Sequence, residues 1–416
     1  MNKHFENIIG YDGVKEELDL ICDALLNSSK YKELGVYTPR GLMLHGAPGL
    51  GKTTMARALI KASGRKTYIL RKTDSDGSFV RKISRVFEEA RNNAPSIVFL
   101  DDMDKFSDCD EYKRNNTDEY VAVQSAIDDS LNYEVFVLAT ANDIEDIPNS
   151  LLRTGRFDKV ISIKHPNVKD AKKIVDYYLK KKKKINNVNS EVIAKIIQGH
   201  SCSDLETVVN EAGLSAAYNN KDAIDNEDII QACLRVIYNA PKDNNIDYKQ
   251  KKLAAVHECG HAIVSEILYP GSVNLISISN YDTSTAGITS CDNSEMNDTS
   301  DYKKQITILL AGKAASEVII NSYDVGCSSD ISRASKLASY IIDSFAEYGF
   351  SLFERNTPSI VSDRKDVARS LILDMCYQEA KTIIFNNKSV VKNMAKKLIE
   401  KSYLINDDIK AIMCEN

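Results

Sequence analysis

No stretch of the sequence approaches the roughly 20 apolar residues that a membrane-spanning helix needs. The best apolar runs, such as Ile306–Gly312 and Ile97–Leu100, are short and flanked by polar or charged residues. The N-terminus, Met1-Asn2-Lys3-His4-Phe5-Glu6, is polar and lacks the apolar core of a secretory signal. The nine cysteines never form a CxxC pair, which argues against cysteine-based zinc ribbons. Their odd number excludes a complete intrachain disulfide framework, and free thiols in a reducing cytosol are the simplest reading. Charge of one sign is also missing: 54 Lys+Arg face 59 Asp+Glu, for a net −5. That balance gives no electrostatic reason to expect a nucleic-acid partner. The expectation is a cytoplasmic protein with no integral membrane segment.

What is present fits a soluble globular chain. Hydrophobic residues make up 43% and charged residues 27%, which argues against disorder and fibrous repeats. A length of 416 residues suggests two to four domains at roughly 100–200 residues each. In the first third, helical patterns (Asp12–Leu26, Thr54–Ala62, Phe79–Asn92) alternate with apolar runs (Gly41–His45, Thr67–Leu70, Ser96–Leu100, Val135–Thr140). Such alternation predicts a parallel α/β sheet. From Asn167 the pattern turns helical, over Lys169–Lys180, Ser190–Ile197, Ser203–Asn219 and Asn226–Tyr238. The lysine run Lys180–Lys184 reads as a solvated helix end rather than a polyanion site. Prolines number only eight, and one of them, Pro241, sits in the polar stretch Asn239–Asn245, a natural linker. Beyond it the chain is mostly helical, with one β-like stretch from Val273 to Thr289.

Gly46-Ala47-Pro48-Gly49-Leu50-Gly51-Lys52-Thr53 fits GxxxxGK[ST] and lies between an apolar strand and a helix. Glycines let backbone N–H groups turn toward phosphates, Lys52 can reach the β/γ-phosphates, and the Thr53 hydroxyl can ligate Mg²⁺. Thr54 completes the expected ATP-binding segment. Ser96–Leu100 runs into Asp101-Asp102, where a P-loop fold holds its metal. Asp101 is the candidate on the Mg²⁺ side, and Asp102 would orient or deprotonate the attacking water. Val137–Ala141 leads to Asn142, a polar strand end. Arg153 and Arg156, in Arg-Thr-Gly-Arg-Phe-Asp, are either fingers for a neighbouring subunit's γ-phosphate or ordinary helix-end cations.

His257-Glu258-Cys259-Gly260-His261 fits HExxH. Two histidines four apart share one helix face and can bind one Zn²⁺, with Glu258 as general base on the water. Only six histidines occur, so a chance match is improbable. A catalytic zinc takes three protein ligands, and no histidine follows His261. Asp330, opening a helix Ile331–Phe345, is one candidate, although its pattern alone favours a plain helix cap. Glu317, on a helix Ala311–Ile320, is another, as ligand or as support for one.

From about Phe5 to the C-terminus, this order of motifs resembles the FtsH-type AAA+ zinc metalloproteases. Ile9-Gly10-Tyr11-Asp12 is similar to that family's opening segment. Asp204-Leu205-Glu206 with Val209-Asn210-Glu211-Ala212 is similar to its lid, and Ala311–Glu317 to its helix before the third ligand. The resemblance implies an α/β P-loop AAA+ core (1–160), a helical lid (161–240) and a mostly helical zinc metallopeptidase (241–416). It implies a homo-hexamer that uses ATP, Mg²⁺ and Zn²⁺ to thread and cleave unfolded or misfolded polypeptides. It makes Asp330 the third zinc ligand, Asn142 the γ-phosphate sensor, and Arg153 and Arg156 fingers toward the adjacent subunit. It also makes the strand around Ala286-Gly287-Ile288-Thr289 a substrate-pairing edge.

Departures from the family pattern matter too. Typical members carry two N-terminal transmembrane helices, whereas this sequence starts at the ATPase segment. The usual Asp-Glu is Asp101-Asp102, one methylene shorter, so water activation is expected to slow. The pore-loop region Thr73–Val80 is short and acidic, with Phe79 as a candidate grip, and Phe106–Ser130 lacks the second, Gly-rich pore loop. Ser201-Cys202-Ser203 stands where the family has Ser-Gly-Ala. The resulting expectation is an ATP-dependent zinc metalloprotease. The alternatives are a zinc peptidase with a slow, weakly coupled ATPase, or a nucleotide-gated remodelling factor with little proteolysis.

Overall fold

The computed structural model describes residues 3–72, 79–106, 118–240, 247–278, 287–291, 296–322, 326–349 and 359–415. The linker residues 241–246 and the pore-loop residues 73–78 lie outside this set, as do Ala286 and much of Phe106–Ser130. The chain divides into two compact units, Met1–Ile229 and Ile230–Asn416.

The first unit runs α1 (Asp12–Leu26), α2 (Ser28–Glu33), β1 (Gly41–His45), α3 (Lys52–Ser63), β2 (Lys66–Leu70), α4 (Phe79–Asn92), β3 (Ser96–Leu100), α5 (Asp118–Asp128), β4 (Val135–Ala141), β5 (Lys159–Ser162), α6 (Val168–Lys180), α7 (Ser190–Ile196) and α8 (Cys202–Tyr218). Helix α9 (Asn226–Tyr238) carries the chain across the division. The five strands form one sheet in the order β2-β3-β4-β1-β5, and every pair is parallel. β1, β3 and β4 are buried almost end to end, which is why they read as continuous apolar runs. On one face Met43, Val98, Leu100, Val137 and Ala139 pack with Ile83 and Phe87 of α4 and Val123 and Ile127 of α5. β5 is an edge strand with a single buried residue, so no pattern announced it. Helix α2 buries nothing and was equally silent. Phe79 is buried and packs edge-on against Phe106 at 4.9 Å. It belongs to the core, which corrects its reading as a candidate substrate grip.

The second unit continues with α10 (Tyr248–Leu268), β6 (Val273–Ser277), β7 (Ile288–Cys291), α11 (Thr299–Ile320), α12 (Cys327–Phe345), α13 (Ser359–Asn386), α14 (Lys388–Lys401), β8 (Tyr403–Ile405) and α15 (Asn406–Cys414). The β-like stretch is therefore two strands, in an antiparallel sheet ordered β7-β6-β8. Every residue of α10 from Ala254 to Glu266 is buried, so this helix is enclosed on all sides. It crosses α11 closely. A Cβ on Gly260 would stand 2.6 Å from both the Ala311 carbonyl oxygen and the Ala315 Cβ, so only a bare backbone permits this approach. Helix α12 begins at Cys327, so Asp330 lies inside its first turn instead of capping it. That frees the Asp330 side chain for contacts other than the helix's own N–H groups.

Candidate active sites

Parallel strands bring their C-terminal ends to one edge of the sheet, where ligands of such folds bind. Here that edge collects the loop after β1, Asp101 after β3 and Asn142 after β4. Gly49 and Gly51 adopt left-handed φ values of 76° and 87°, the conformation that curls the loop before α3. Lys52 Nζ donates to the carbonyls of Gly46 (2.7 Å) and Ala47 (2.9 Å) and to Asn142 Oδ1 (2.9 Å). Burial lowers the Lys52 pKa, opposed by the charges of Asp104 and Asp102. Asp101 Oδ1 accepts from the hydroxyls of Thr53 (3.2 Å) and Thr140 (2.9 Å). Neighbouring oxygens on an octahedral Mg²⁺ stand about 3 Å apart, so Thr53 and Asp101 fit adjacent positions around that ion.

Asp102 departs from the expected picture. Its backbone is left-handed (φ 55°), and its N–H donates to Thr140 Oγ1 at 3.0 Å. Its Oδ2 accepts from Arg71 Nη2 (2.9 Å) and Lys105 Nζ (3.0 Å). Burial would raise its pKa, but these two cations bring it below the usual value. Asn142 Nδ2 donates to Asp104 Oδ2 at 2.9 Å, so Asn142 links Lys52 to a third acid. The two arginines also separate. Arg156 makes a two-pronged bridge to Asp128 (2.9 and 2.8 Å) and also donates to the Ser150 carbonyl. Arg153 is exposed and its side chain has no partner among the described residues. Phe157 is buried, and Asp158 accepts from the N–H groups of Gly155 (2.6 Å) and Arg40 (2.7 Å), so these two build the turn that carries the arginines.

Helix α8 meets the phosphate loop directly. The Ser203 N–H donates to the Gly49 carbonyl at 3.2 Å, and Ser201 and Asp204 form a reciprocal capping box. Cys202 lies 3.5 Å from the Tyr11 hydroxyl, which itself donates to the Lys164 carbonyl at 3.0 Å.

In the second unit, α10 places His257 and His261 on one face, and α12 brings Asp330 to them. His257 Nε2 and His261 Nε2 stand 3.0 Å apart, and Asp330 Oδ2 is 3.1 and 3.3 Å from them. His261 Nδ1 faces the Ile308 carbonyl at 2.7 Å. A carbonyl only accepts, so Nδ1 carries the proton and Nε2 turns a lone pair toward the cluster. When His257 Nε2 is unprotonated as well, the three electron-rich atoms of so small a triangle repel one another unless a cation sits among them. Ligands about 2.0–2.1 Å from a tetrahedral zinc stand about 3.3 Å apart, so the triangle fits Zn²⁺. The backbone of Gly312 on α11 borders the two nitrogens with no side chain to fill the space. Among the described residues this is the one His/Cys/Asp/Glu cluster suited to a metal.

Glu258 is buried on the same helix. Thr289 Oγ1 donates to its Oε2 at 2.7 Å and so fixes the carboxylate from the β7 side. Burial raises the Glu258 pKa, against His261, His257 and Thr289, which lower it. A carboxylate with a raised pKa is a better proton acceptor than an exposed one. Glu317 is engaged elsewhere, by Lys381 Nζ at 2.6 Å and by the Tyr377 hydroxyl, and is absent from the metal cluster. Sequence reasoning passed over Thr140, which holds both acids at the end of β3, although a polar residue within an apolar strand was a usable signal. It also passed over Arg71, Lys105 and Asp104, whose roles depend on pairing that no motif encodes.

Comparison with known proteins matches a family to the region around each site. Residues 42–165 match the ATPase family associated with various cellular activities (AAA), and residues 244–357 match Peptidase family M41. ATP-dependent zinc metalloprotease FtsH 2 of Thermoanaerobacter sp. is 30% identical over 99% of this chain and 83% of its own length. ATP-dependent zinc metalloprotease FtsH of Halothermothrix orenii is 28% identical over 95% of this chain and 68% of its own. The FtsH of Caldicellulosiruptor bescii is 29% identical over 99% and 72%. No helix among the described residues is long and apolar enough to cross a membrane. With a nucleotide-type loop, a metal-type donor triangle and relatives matched along nearly its whole length, the chain belongs to the FtsH family of ATP-dependent zinc metalloproteases.

Proposed function

We propose that this protein cleaves peptide bonds in unfolded or misfolded polypeptides at a zinc held by His257, His261 and Asp330, and that ATP turnover in the first unit feeds the substrate chain to that site. The observation that carries the reading is the 3.0–3.3 Å donor triangle with Glu258 beside it on α10. Zinc bound there supplies a polarised water and a Lewis acid for the scissile carbonyl. Glu258 accepts the proton of the attacking water and returns it to the leaving amine. Thr289 keeps the Glu258 carboxylate aimed during both transfers. β7 is an outer strand of its sheet and suits pairing with an extended substrate.

In the first unit, Gly46, Ala47, Pro48, Gly49, Leu50, Gly51, Lys52, Thr53 and Thr54 bind the ATP phosphates. Thr53 and Asp101 hold Mg²⁺, and Asn142 senses the γ-phosphate. Arg153 and Arg156 reach a neighbouring subunit's nucleotide in a homo-hexamer. Arg153 is already free to do so, whereas Arg156 must first leave Asp128. Residues 1–160, 161–240 and 241–416 act as core, lid and peptidase, in the cytoplasm.

A second reading has its own observation. Asp102 is held by Arg71 and Lys105, which favours an ATPase that turns over slowly and couples weakly to cleavage. Full-length protein and its Glu258→Gln variant, assayed on unfolded casein with and without ATP, separate the readings. Cleavage that needs both ATP and Glu258 supports the first. Cleavage that needs Glu258 but proceeds equally without nucleotide supports the second. Cleavage by neither protein, with zinc bound, refutes both and leaves a nucleotide-gated remodelling factor.

A further inference from the structure

Glycine in the middle of a helix is a poor choice, because it adds backbone entropy to the unfolded chain and contributes no packing. Gly312 occupies such a position, in the buried part of the 22-residue α11. Its φ does not require glycine; the reason lies in what it faces. A Cβ built there would stand 2.5 Å from His257 Nε2, 2.5 Å from His261 Nε2 and 2.6 Å from His257 Cε1. Ordinary contact begins roughly 1 Å further out. No backbone atom is among these nearest neighbours. The three closest conflicts all fall on two imidazoles, both of which must converge to hold a metal.

We propose that Gly312 is a positioning residue for the metal: its missing side chain is what lets both histidine nitrogens converge on one ion. The proposal rests on the zinc assignment made above. Without metal, no coordinate bond fixes the imidazole ends, so a methyl group can displace them at the expense of contacts such as His261 Nδ1 to the Ile308 carbonyl, a loss set against the gain of a better helix former. With metal the ends cannot move aside. Alanine at this position is therefore tolerated by the fold and rejected by the metal site. Gly287 is a useful contrast. A Cβ there would meet Glu258 instead, 2.5 Å from Cγ and 2.8 Å from Oε1, so its missing side chain makes room for the base and not for the ligands.

The test uses full-length wild type, Gly312→Ala and Gly287→Ala, each stripped of metal. Zinc affinity is measured by competition with a chromophoric chelator, the Co²⁺ absorption spectrum is recorded, and thermal unfolding of the metal-free forms is followed by circular dichroism. Metal-free Gly312→Ala should unfold at or above the wild-type temperature. Its zinc affinity should fall by about 100-fold or more, beyond the loss typical of removing an outer contact of a metal ligand, and its tetrahedral Co²⁺ bands should vanish. Gly287→Ala should hold zinc within about threefold of wild type and lose casein cleavage. Three results overturn the proposal: zinc binding by Gly312→Ala within about threefold of wild type, unfolding of its metal-free form, or equal zinc loss in Gly287→Ala. Failure of wild type itself to bind zinc would instead refute the zinc assignment.

Discussion

At the zinc site the functional atoms face one another, and at the nucleotide site they are tied to the surrounding protein. His257, His261 and Asp330 converge at 3.0–3.3 Å, and His261 is oriented from behind by the Ile308 carbonyl. Lys52, by contrast, is bonded to two carbonyls of its own loop, Asp102 is bridged by two cations, and Arg156 is bridged to Asp128. Each of those bonds must be exchanged before its residue can act on phosphate or water. A hydrolytic metal centre works from fixed geometry, because its reaction needs preorganised charge. An ATPase that does mechanical work needs at least two arrangements of the same groups, and bonds that can be traded are the means of having them.

If that contrast is real, removing one donor from the zinc site should have the largest consequence. His261→Ala should lower zinc affinity and casein cleavage by about a thousandfold or more, while ATPase activity stays within about twofold. Metal analysis and the two rate assays check it, and retained zinc would break the contrast. The mirror experiment is Lys52→Ala. Phosphate contact supplies much of P-loop catalysis, so ATP hydrolysis should fall about 100-fold or more. Cleavage of a short fluorogenic peptide, which needs no threading, should be nearly unchanged. A parallel fall in peptide cleavage would show that the zinc site depends on nucleotide for its geometry.

Thr289→Val should give an intermediate effect. It removes one hydrogen bond to a charged carboxylate and keeps the shape, a loss of about 1.5–3 kcal/mol if the bond is fully used in the transition state. The expected result is a fall in kcat of roughly 10–100-fold, with KM and zinc content unchanged. A change confined to KM would assign Thr289 to substrate binding on β7 instead.

The two sites also differ in how legible they were. GxxxxGK[ST] and HExxH are local: one loop must curl and one helix face must carry two imidazoles, so spacing alone reports them. The apolar runs of β1, β3 and β4 likewise state their own burial. Asp330 lies 73 residues from His257 in sequence, and no spacing rule spans that distance. Its helix was expected to begin one residue after it, which made it look like a cap; α12 in fact begins at Cys327. Gly312 was legible only as part of a family-like segment, since its role is an absence that matters in three dimensions. The clamp on Asp102 was half hidden: Lys105 lies only three residues further on, but Arg71 comes from the end of β2 and meets Asp102 only once the parallel sheet has formed.

That clamp provides the smallest prediction and the most direct test of the nucleotide half of the comparison. Arg71 and Lys105 are both largely exposed, with side-chain exposures of 57% and 60%, whereas Asp102 is at 16%. Bridges of this kind contribute under about 1 kcal/mol to stability, so Arg71→Ala combined with Lys105→Ala should barely move the unfolding temperature. The effect on chemistry should be larger. Lysine and arginine stabilise the charged carboxylate and so weaken it as a base, and they also hold it away from other partners. Releasing them should raise the ATPase rate by roughly three- to tenfold if Asp102 acts on the attacking water. A rate that falls instead would mean that the cations hold Asp102 in its working position, and the nucleotide site would then be as preorganised as the zinc site. An unchanged rate, with Asp102→Asn also unchanged, would remove Asp102 from the reaction and pass its role to Asp104, the acid after β3 that is bonded to Asn142 and not assigned to Mg²⁺.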